Sequence, residues 1–396
     1  MARGNAGRRR VVVLGATGSV GTQTLDVLAH LRVLRERGVI DADFEVVGLS
    51  ACANARELQR LGEPWGSPRL ALADPGAVAD LSHEPAKTCL SGPASAEHLV
   101  RELEPDVVVA SIVGIAGLPS TLAAAQIGAD IAVANKESLV AGGEIVLATA
   151  QRTGARLLPL DSEHAAAWVC LKSLAGPAYT PPAAPPPGLR RLILTASGGA
   201  FRDRSRDEVY DAKPAEALNH PNWDMGAKVT IDSATLANKA LELIEAHWLF
   251  GVGSDRLGVL VHRQSIVHAL AECDDHGVIA QLAAPDMRLP IQAALTHPAI
   301  VDAGDRPTLD LASLGRLDFA EPDFERFPAL AMANHVIDEG GTKGAVFSAA
   351  NEVAVEAFLR GEIPFGRIDE LAAEVTLGAR SADASTLEAV IEADAL

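Results

Sequence analysis

Two short segments of this chain carry side chains in an order that could do chemistry. In Asp161-Ser162-Glu163-His164, two carboxylates stand two residues apart, directly after the apolar run Leu157–Leu160. In an extended segment alternate side chains project to the same side, and hard oxygen ligands suit Mg2+ or Mn2+ better than zinc. The same residues fit equally a helix N-cap with an acid in the first turn, so alone they leave both readings open. The second segment runs from Ser233 to Glu242. Its spacing predicts a helix that starts near Asp232 or Ser233, either able to cap it, and continues through Trp248 until Gly251 stops it. Asn238 and Glu242 are then i,i+4 and Lys239 and Glu242 are i,i+3, so one face offers an amide, an ammonium and a carboxylate. Leu241, Ile244 and Trp248 can face a core. An ordinary surface Lys-Glu pair explains the charges but not the neutral Asn238 or Ser233. A helix N-terminus with Ser, Asn and Lys nearby is suited to a phosphate.

Three further groups need a scaffold to bring them together. Gly15-Ala-Thr17-Gly18-Ser19-Val20-Gly21 follows a predicted strand and opens a predicted helix, the context in which glycines let backbone N–H groups approach a pyrophosphate. The second strand ends in Val46-Val47-Gly48-Leu49-Ser50 without the carboxylate that would bind an NAD ribose, which favours NADP. Arg56 is the nearest positive candidate. Asn135-Lys136-Glu137 follows the run Asp130–Ala134, at a strand's carboxyl end, where open α/β sheets place ligands. A lysine there can bridge cofactor and substrate. His220-Pro-Asn-Trp223-Asp-Met225-Gly226 puts an imidazole, an indole and a thioether in a loop, either to cover a ligand or to dock on a core. His262, His268 and His297 lack an i,i+4 histidine partner and read as structural.

The elements that must position these groups follow from periodicity. At 396 residues the chain exceeds one typical core, so two or three domains are expected. To about residue 160, short β-branched runs alternate with helix-length amphipathic segments, as in a doubly wound parallel sheet. The Pro- and Ala-rich residues 176–188 read as a surface insertion. Leu192–Gly199 is a strand entering a Gly-rich turn, Arg202–Lys228 is a polar stretch that serves as a lid or a plain long loop, and Val259–Leu270 reads as one strand. Beyond Pro307 only helical periodicity remains, in Ala329–Ile337, Ala349–Leu359 and Ile368–Ala379. A net charge of -18 disfavours a nucleic-acid partner. The longest apolar run, Val107–Leu118, falls short of the ~18 residues of a membrane span, and the N-terminus lacks the pattern of a secretion signal, so no membrane association and a cytoplasmic location are expected. Cys52, Cys89, Cys170 and Cys273 are too scattered for a zinc site or disulfide framework.

The segments GATGSVG, ANKESLV, LPLDSEHAA, ASGGAF, HPNWDMGAKVTIDSATLANKALELIEAHWLF, VHRQSIVH, APDMRLPI and AANEVAVEAFL resemble, in order and spacing, the 1-deoxy-D-xylulose-5-phosphate reductoisomerase family over nearly the whole chain. The resemblance implies a Rossmann-like NADPH-binding domain over residues 1–160 and a central α+β catalytic domain over 161–298, with a mobile lid at about 197–227. A linker over 299–320 and a small C-terminal helical domain over 321–396 complete it. It implies Asp161, Glu163 and Glu242 as ligands of Mn2+ or Mg2+. Lys136, Ser162, Glu163, Ser197, His220, Trp223, Met225, Ser233, Asn238, Lys239 and Glu242 would contact the small phosphorylated sugar, with Lys136, Glu163 and His220 catalytic. Thr17, Gly18, Ser19, Val20, Cys52, Ala53, Asn54, Asn135, Glu137 and Gly226 match the NADPH contacts. The implied reaction isomerises 1-deoxy-D-xylulose 5-phosphate and reduces the product with NADPH to 2-C-methyl-D-erythritol 4-phosphate in the non-mevalonate isoprenoid pathway, in a homodimer. Cys52-Ala53 departs from the family's Gly followed by a basic or polar residue, and Arg263 and Ala200 replace common prolines. A metal-independent NADP dehydrogenase would keep the glycine turn but has no need of the three carboxylates. A cofactor-sensing regulator would bind NADPH without consuming it.

Overall fold

The computed structural model describes residues 8–219 and 226–396, which divide into two compact units. Unit one comprises residues 1–135, 148–161 and 287–306, and unit two residues 136–147, 162–286 and 307–396. In unit one the β-branched runs form seven parallel strands: β1 (Arg9–Leu14), β2 (Phe44–Ala51), β3 (Arg69–Leu72), β4 (Leu90–Ser91), β5 (Val107–Ala110), β6 (Asp130–Val133) and β7 (Leu157–Pro159). Their order is β4-β3-β2-β1-β5-β6-β7. Val11, Val12, Val13 and Leu14 are fully buried, as a strand covered on both faces requires. The order reverses between β1 and β5, the point where an open sheet leaves a crevice beyond its carboxyl ends. Helix α1 (Ser19–Glu36) begins there.

The segment Met287–Arg306 differs from the expected organisation, which divided it between a catalytic domain and a linker. It returns to unit one: its helix Arg288–Thr296 packs on α1, the Arg9 guanidinium donates to the Leu295 carbonyl, and the His30 ring meets the Asp302 carbonyl at 2.9 Å. Apolar residues such as Ile291 and Leu295, both buried, make that return favourable.

Unit two begins with residues 136–147 of helix α2 (Lys136–Thr153), whose backbone departs from helical geometry at Gly142, and continues with α3 (Ser162–Ala175). Its sheet has the order β11-β10-β8-β9, made of β8 (Leu189–Ala196), β9 (Leu257–Val261), β10 (Val267–Cys273) and β11 (Val278–Leu282). The run expected as one strand over Val259–Leu270 is thus two. β9 lies parallel to β8 on one side and β10 antiparallel on the other, because the chain turns at Ser265, whose φ is +52°. The helix expected to start near Asp232 is also two helices, α4 (Ala227–Thr235) and α5 (Ala237–Phe250), separated by Leu236 at φ +59° and closed by left-handed Gly251. The C-terminal part is helical: α6 (Ala329–Glu339), α7 (Lys343–Leu359), α8 (Arg367–Gly378) and α9 (Leu387–Asp394).

The expected lid is anchored over much of its described length. Phe201, Val209, Ala212 and Ala217 share a buried core with Ile231 of α4, with Ala354, Val355 and Phe358 of α7, and with Phe365 and Ile368. Residues 201–217 therefore form part of a packed layer. His220, Trp223 and Met225 lie outside the described residues. Among the described residues no helix is long and apolar enough to cross a membrane.

Candidate functional site

In unit one the glycine turn between β1 and α1 leaves no room for side chains. Gly15 has φ +72°, and a Cβ on it would stand 2.7 Å from the Ser111 carbonyl oxygen beyond β5; one on Gly21 would stand 2.4 Å from the Gly15 carbonyl. Gly18 is the N-cap of α1 and supplies no side-chain acceptor, so the first-turn N–H groups point out beside exposed Ser19. Two hydrogen bonds tie the neighbouring strand ends to this turn: Gly15 N–H donates to Ser50 Oγ at 3.2 Å, and Ser111 Oγ donates to the Leu14 carbonyl at 2.5 Å. Asn135, 3% exposed, donates from Nδ2 to the carbonyls of Ile112 and Gly114, which fixes the loop after β6 against the loop after β5. Cys52, Ala53 and Asn54 follow β2 and are exposed, and Asn54 caps the helix Ala55–Gly62. Arg56, the cationic candidate, is spent on an exposed ion pair with Asp80 at 3.0 Å.

In unit two the amide, ammonium and carboxylate of α5 meet as their spacing predicts. Glu242 is 1% exposed, and its Oε1 accepts from Asn238 Nδ2 and from Lys136 Nζ, the latter at 3.0 Å. Lys136 Nζ also donates to Asn238 Oδ1 at 2.8 Å. Lys239 Nζ donates to Glu242 Oε2 and lies 3.1 Å from Glu163 Oε1. Glu163 belongs to the first turn of α3, and Ser162 Oγ donates to it. Glu163 thus stands as a first-turn helix acid, and it shares the Lys239 ammonium with the distant carboxylate of Glu242. Glu163 and Glu242 offer oxygens within 4.8 Å of one another, while Asp161, which ends the 148–161 segment of unit one, precedes Glu163 by two positions in the chain. A buried carboxylate, Glu242, and a part-buried one, Glu163, joined through the Lys239 ammonium form a donor set of hard oxygens, the kind Mg2+ and Mn2+ select.

Ser233 is not at a helix start: it sits in the last turn of α4, its Oγ donating to the Val229 carbonyl at 2.8 Å. The helix that starts here is α5, opened by Leu236 directly before Ala237, Asn238 and Lys239, with the Ala237 N–H donating to Thr235 Oγ1 at 3.2 Å. The turn Gly198-Gly199 after β8 has φ +84° and +67°, and a Cβ on Gly199 would stand 2.3 Å from the Ser233 carbonyl oxygen. That approach brings Ser197, whose Oγ accepts from the Gly199 N–H at 3.2 Å, beside Ser233. The backbone at Gly199, two residues after Ser197, is thus in contact with Ser233, which precedes α5.

Two groups escaped sequence reading. His164, fully buried, meets the Glu242 carbonyl through Nε2 at 2.8 Å and Glu245 Oε2 through Nδ1 at 3.3 Å, bracing the carboxylate helix from behind. Glu245 lies three residues after Glu242 on α5, a spacing that could have flagged it. Lys228 Nζ joins Glu137 Oε1 at 3.2 Å to Asp232 Oδ2 at 2.7 Å. Burial works against the Lys228 charge, but the two carboxylates outweigh it and hold the ammonium above its ordinary pKa. Gly226 is the N-cap of α4, two residues before Lys228.

Sheet and site define a doubly wound α/β protein of dinucleotide type whose second unit carries a lysine-braced carboxylate cluster. Three family models match: 1-deoxy-D-xylulose 5-phosphate reductoisomerase over residues 11–143, its C-terminal domain over 157–250, and the DXP reductoisomerase C-terminal domain over 282–396. The chain belongs to the 1-deoxy-D-xylulose 5-phosphate reductoisomerase family. It is 45% identical to the protein of that name from Aromatoleum aromaticum, over 98% of this chain and 94% of the other, and 43% identical to that of Bordetella avium, over 98% and 97%. A crystal structure of DOX-P reductoisomerase in complex with NADPH, fosmidomycin and magnesium superposes with a TM-score of 0.86 at 36% identity, covering 98% of this chain and 96% of that one. The Zymomonas mobilis enzyme in complex with NADPH gives 0.84 at 37% identity, covering 98% and 97%.

Proposed function

We propose that this protein converts 1-deoxy-D-xylulose 5-phosphate to 2-C-methyl-D-erythritol 4-phosphate, by a metal-dependent skeletal isomerisation followed by reduction with NADPH. The observation that carries the reading is the sharing of Lys239 between Glu163 and Glu242 in a chain that matches this family along its whole length. A metal-independent dehydrogenase would have no reason to bring two carboxylates together in that arrangement.

Asp161, Glu163 and Glu242 would hold Mg2+ or Mn2+, and the hard-oxygen chemistry of the Glu163–Glu242 pair fits that group. When bound, the ion supplies a Lewis acid that polarises oxygens of the substrate. Lys136, whose ammonium already reaches Asn238 and Glu242, holds a proton at Nζ within the site, and Glu163 is the complementary acceptor. Ser197, Ser233, Asn238 and Lys239 bind the phosphate beside the first turn of α5, the Lys239 ammonium supplying a charge-assisted hydrogen bond. Ser162, His220, Trp223 and Met225 complete the substrate contacts. Thr17, Gly18, Ser19, Val20, Cys52, Ala53, Asn54, Asn135, Glu137 and Gly226 bind NADPH. Cytoplasmic residence and a homodimer belong to the same reading, the dimer being checked by light scattering of the purified protein.

The decisive assay follows NADPH absorbance with 1-deoxy-D-xylulose 5-phosphate and Mn2+ or Mg2+. Turnover that vanishes on chelation and returns with the metal is expected. Absence of oxidation by metal-loaded protein would overturn the proposal, and turnover that survives exhaustive chelation would favour the dehydrogenase.

A further inference from the structure

A chain of buried polar groups connects the C-terminal helices to the start of α2. Asn351 of α7 is fully buried and donates from Nδ2 to Asp232 Oδ1 at 2.9 Å. Asp232, 1% exposed, accepts at its other oxygen from Lys228, one turn earlier on α4. Lys228 then reaches Glu137, 6% exposed, in the first turn of α2. Lys136 is the next residue back along the chain, and its ammonium lies on Asn238 and Glu242. A surface ion pair would wander among rotamers, but here the lysine is held between two carboxylates that have almost no access to water. Asn351 fixes the one that α4 carries.

We propose that Lys228 is a positioning residue: held by Asp232, which Asn351 fixes in turn, it sets the Glu137 carboxylate and the first turn of α2 for cofactor binding. The inference rests on the proposed function, in which Glu137 contacts NADPH. Its physical basis is geometric. α2 starts on the loop after β6, and the Lys228 ammonium of another helix grips its first-turn acid, 3.2 Å from Glu137 Oε1. Asp232 is therefore not a helix cap, as its position in the sequence suggests, but the anchor of that ammonium. Glu352, beside Asn351 on α7, reinforces the demand for a cation at this point: burial raises its carboxyl above the ordinary value while the nearby Lys228 pulls it down. Among the described residues the Lys228 ammonium pairs with Glu137 and Asp232 and with none of the three metal donors, so its effect travels through Glu137.

The test is a double-mutant cycle on NADPH binding, read by quenching of protein fluorescence in the full-length protein without substrate or metal, so that no turnover is involved. Lys228→Met and Glu137→Gln are each expected to weaken NADPH binding about 10-fold. The double variant should be about 10-fold weaker as well, because both changes break one link. Lys228→Arg should recover most of the loss, whereas a lysine that only stabilised the fold would leave NADPH affinity unmoved. Wild-type affinity in Lys228→Met, or losses that multiply to about 100-fold in the double variant, overturns the inference. Should Lys228→Met fail to fold, the same cycle with Asn351→Leu, which keeps the lysine but takes the donor from Asp232, carries the test. It is expected to weaken NADPH binding at least 3-fold, without further loss when combined with Glu137→Gln; no weakening, or multiplying losses, overturns the inference. Failure of the wild-type protein to bind NADPH would instead refute the function proposed above.

Discussion

Asp369 offers a direct test of the electrostatics of unit two. It lies on α8 and lines a cavity with Phe201, Val209, Phe327 and Phe365. Its Oδ1 is buried and accepts no hydrogen bond from the described residues. Burial, aided by the nearby Asp232 carboxylate, pushes its carboxyl up from 3.8 to about 8, and Arg206, itself engaged with Glu370 at 3.1 Å, only partly opposes this. A carboxyl whose folded pKa is raised destabilises the fold as it ionises. Stability is therefore fullest below about pH 4, where the unfolded chain is also protonated, and declines as pH rises through about 8. A gap of roughly four pKa units at ~1.36 kcal/mol each sets an upper bound near ~5 kcal/mol. The side chain keeps some contact with solvent, so about 2–3 kcal/mol is the expected size after screening. Asp369→Asn removes the ionisation at nearly constant shape. In urea unfolding followed by tryptophan fluorescence, the stability of the variant relative to wild type should rise by about 2–3 kcal/mol between pH 5 and pH 9. Parallel pH profiles for the two proteins would refute the reasoning, since they would show that the carboxyl titrates as it does in water.

Other expectations are more local. Glu242→Gln keeps the shape but halves the anionic pair at Lys239, and should lower both Mn2+ affinity and NADPH oxidation by more than the roughly 10–100-fold typical of groups behind a ligand; unchanged metal affinity would remove Glu242 from the ligand set. Gly143→Ala would put a Cβ 2.5 Å from the Trp248 ring and should cost about 1–3 kcal/mol of stability, whereas an unaltered urea midpoint would show that the ring can withdraw. Burial drives the Cys170 thiol up to about 11. With iodoacetamide near pH 8, exposed Cys52 should be alkylated well before Cys170, and mass mapping that finds the reverse order would contradict the buried placement.

What could be read from the sequence was what depends on neighbours along the chain. Val11–Leu14 declared a strand buried on both faces, and the glycine turn after it needed only its strand-before, helix-after context. Asn238, Lys239 and Glu242 could be placed on one face because helical spacing alone puts them there, and their mutual hydrogen bonds follow from it. The break at Leu236 was illegible for a physical reason: a leucine at positive φ is strained, so local preference argues for an unbroken helix, and the turn is imposed by packing around it. The return of Met287–Arg306 to unit one and the anchoring of residues 201–217 by α7 and α8 likewise rest on partners distant in sequence. Asp232 shows the limit most sharply. An acid near an apparent helix start reads as a cap, and nothing in its surroundings along the chain points to Asn351, 119 residues away, which occupies one of its oxygens. Local spacing therefore finds carboxylates that share a helix face with other functional groups, as Glu242 does, and misreads those whose role is set by a distant partner. The second kind holds a site in place, so residues that position the chemistry are the ones a sequence conceals longest.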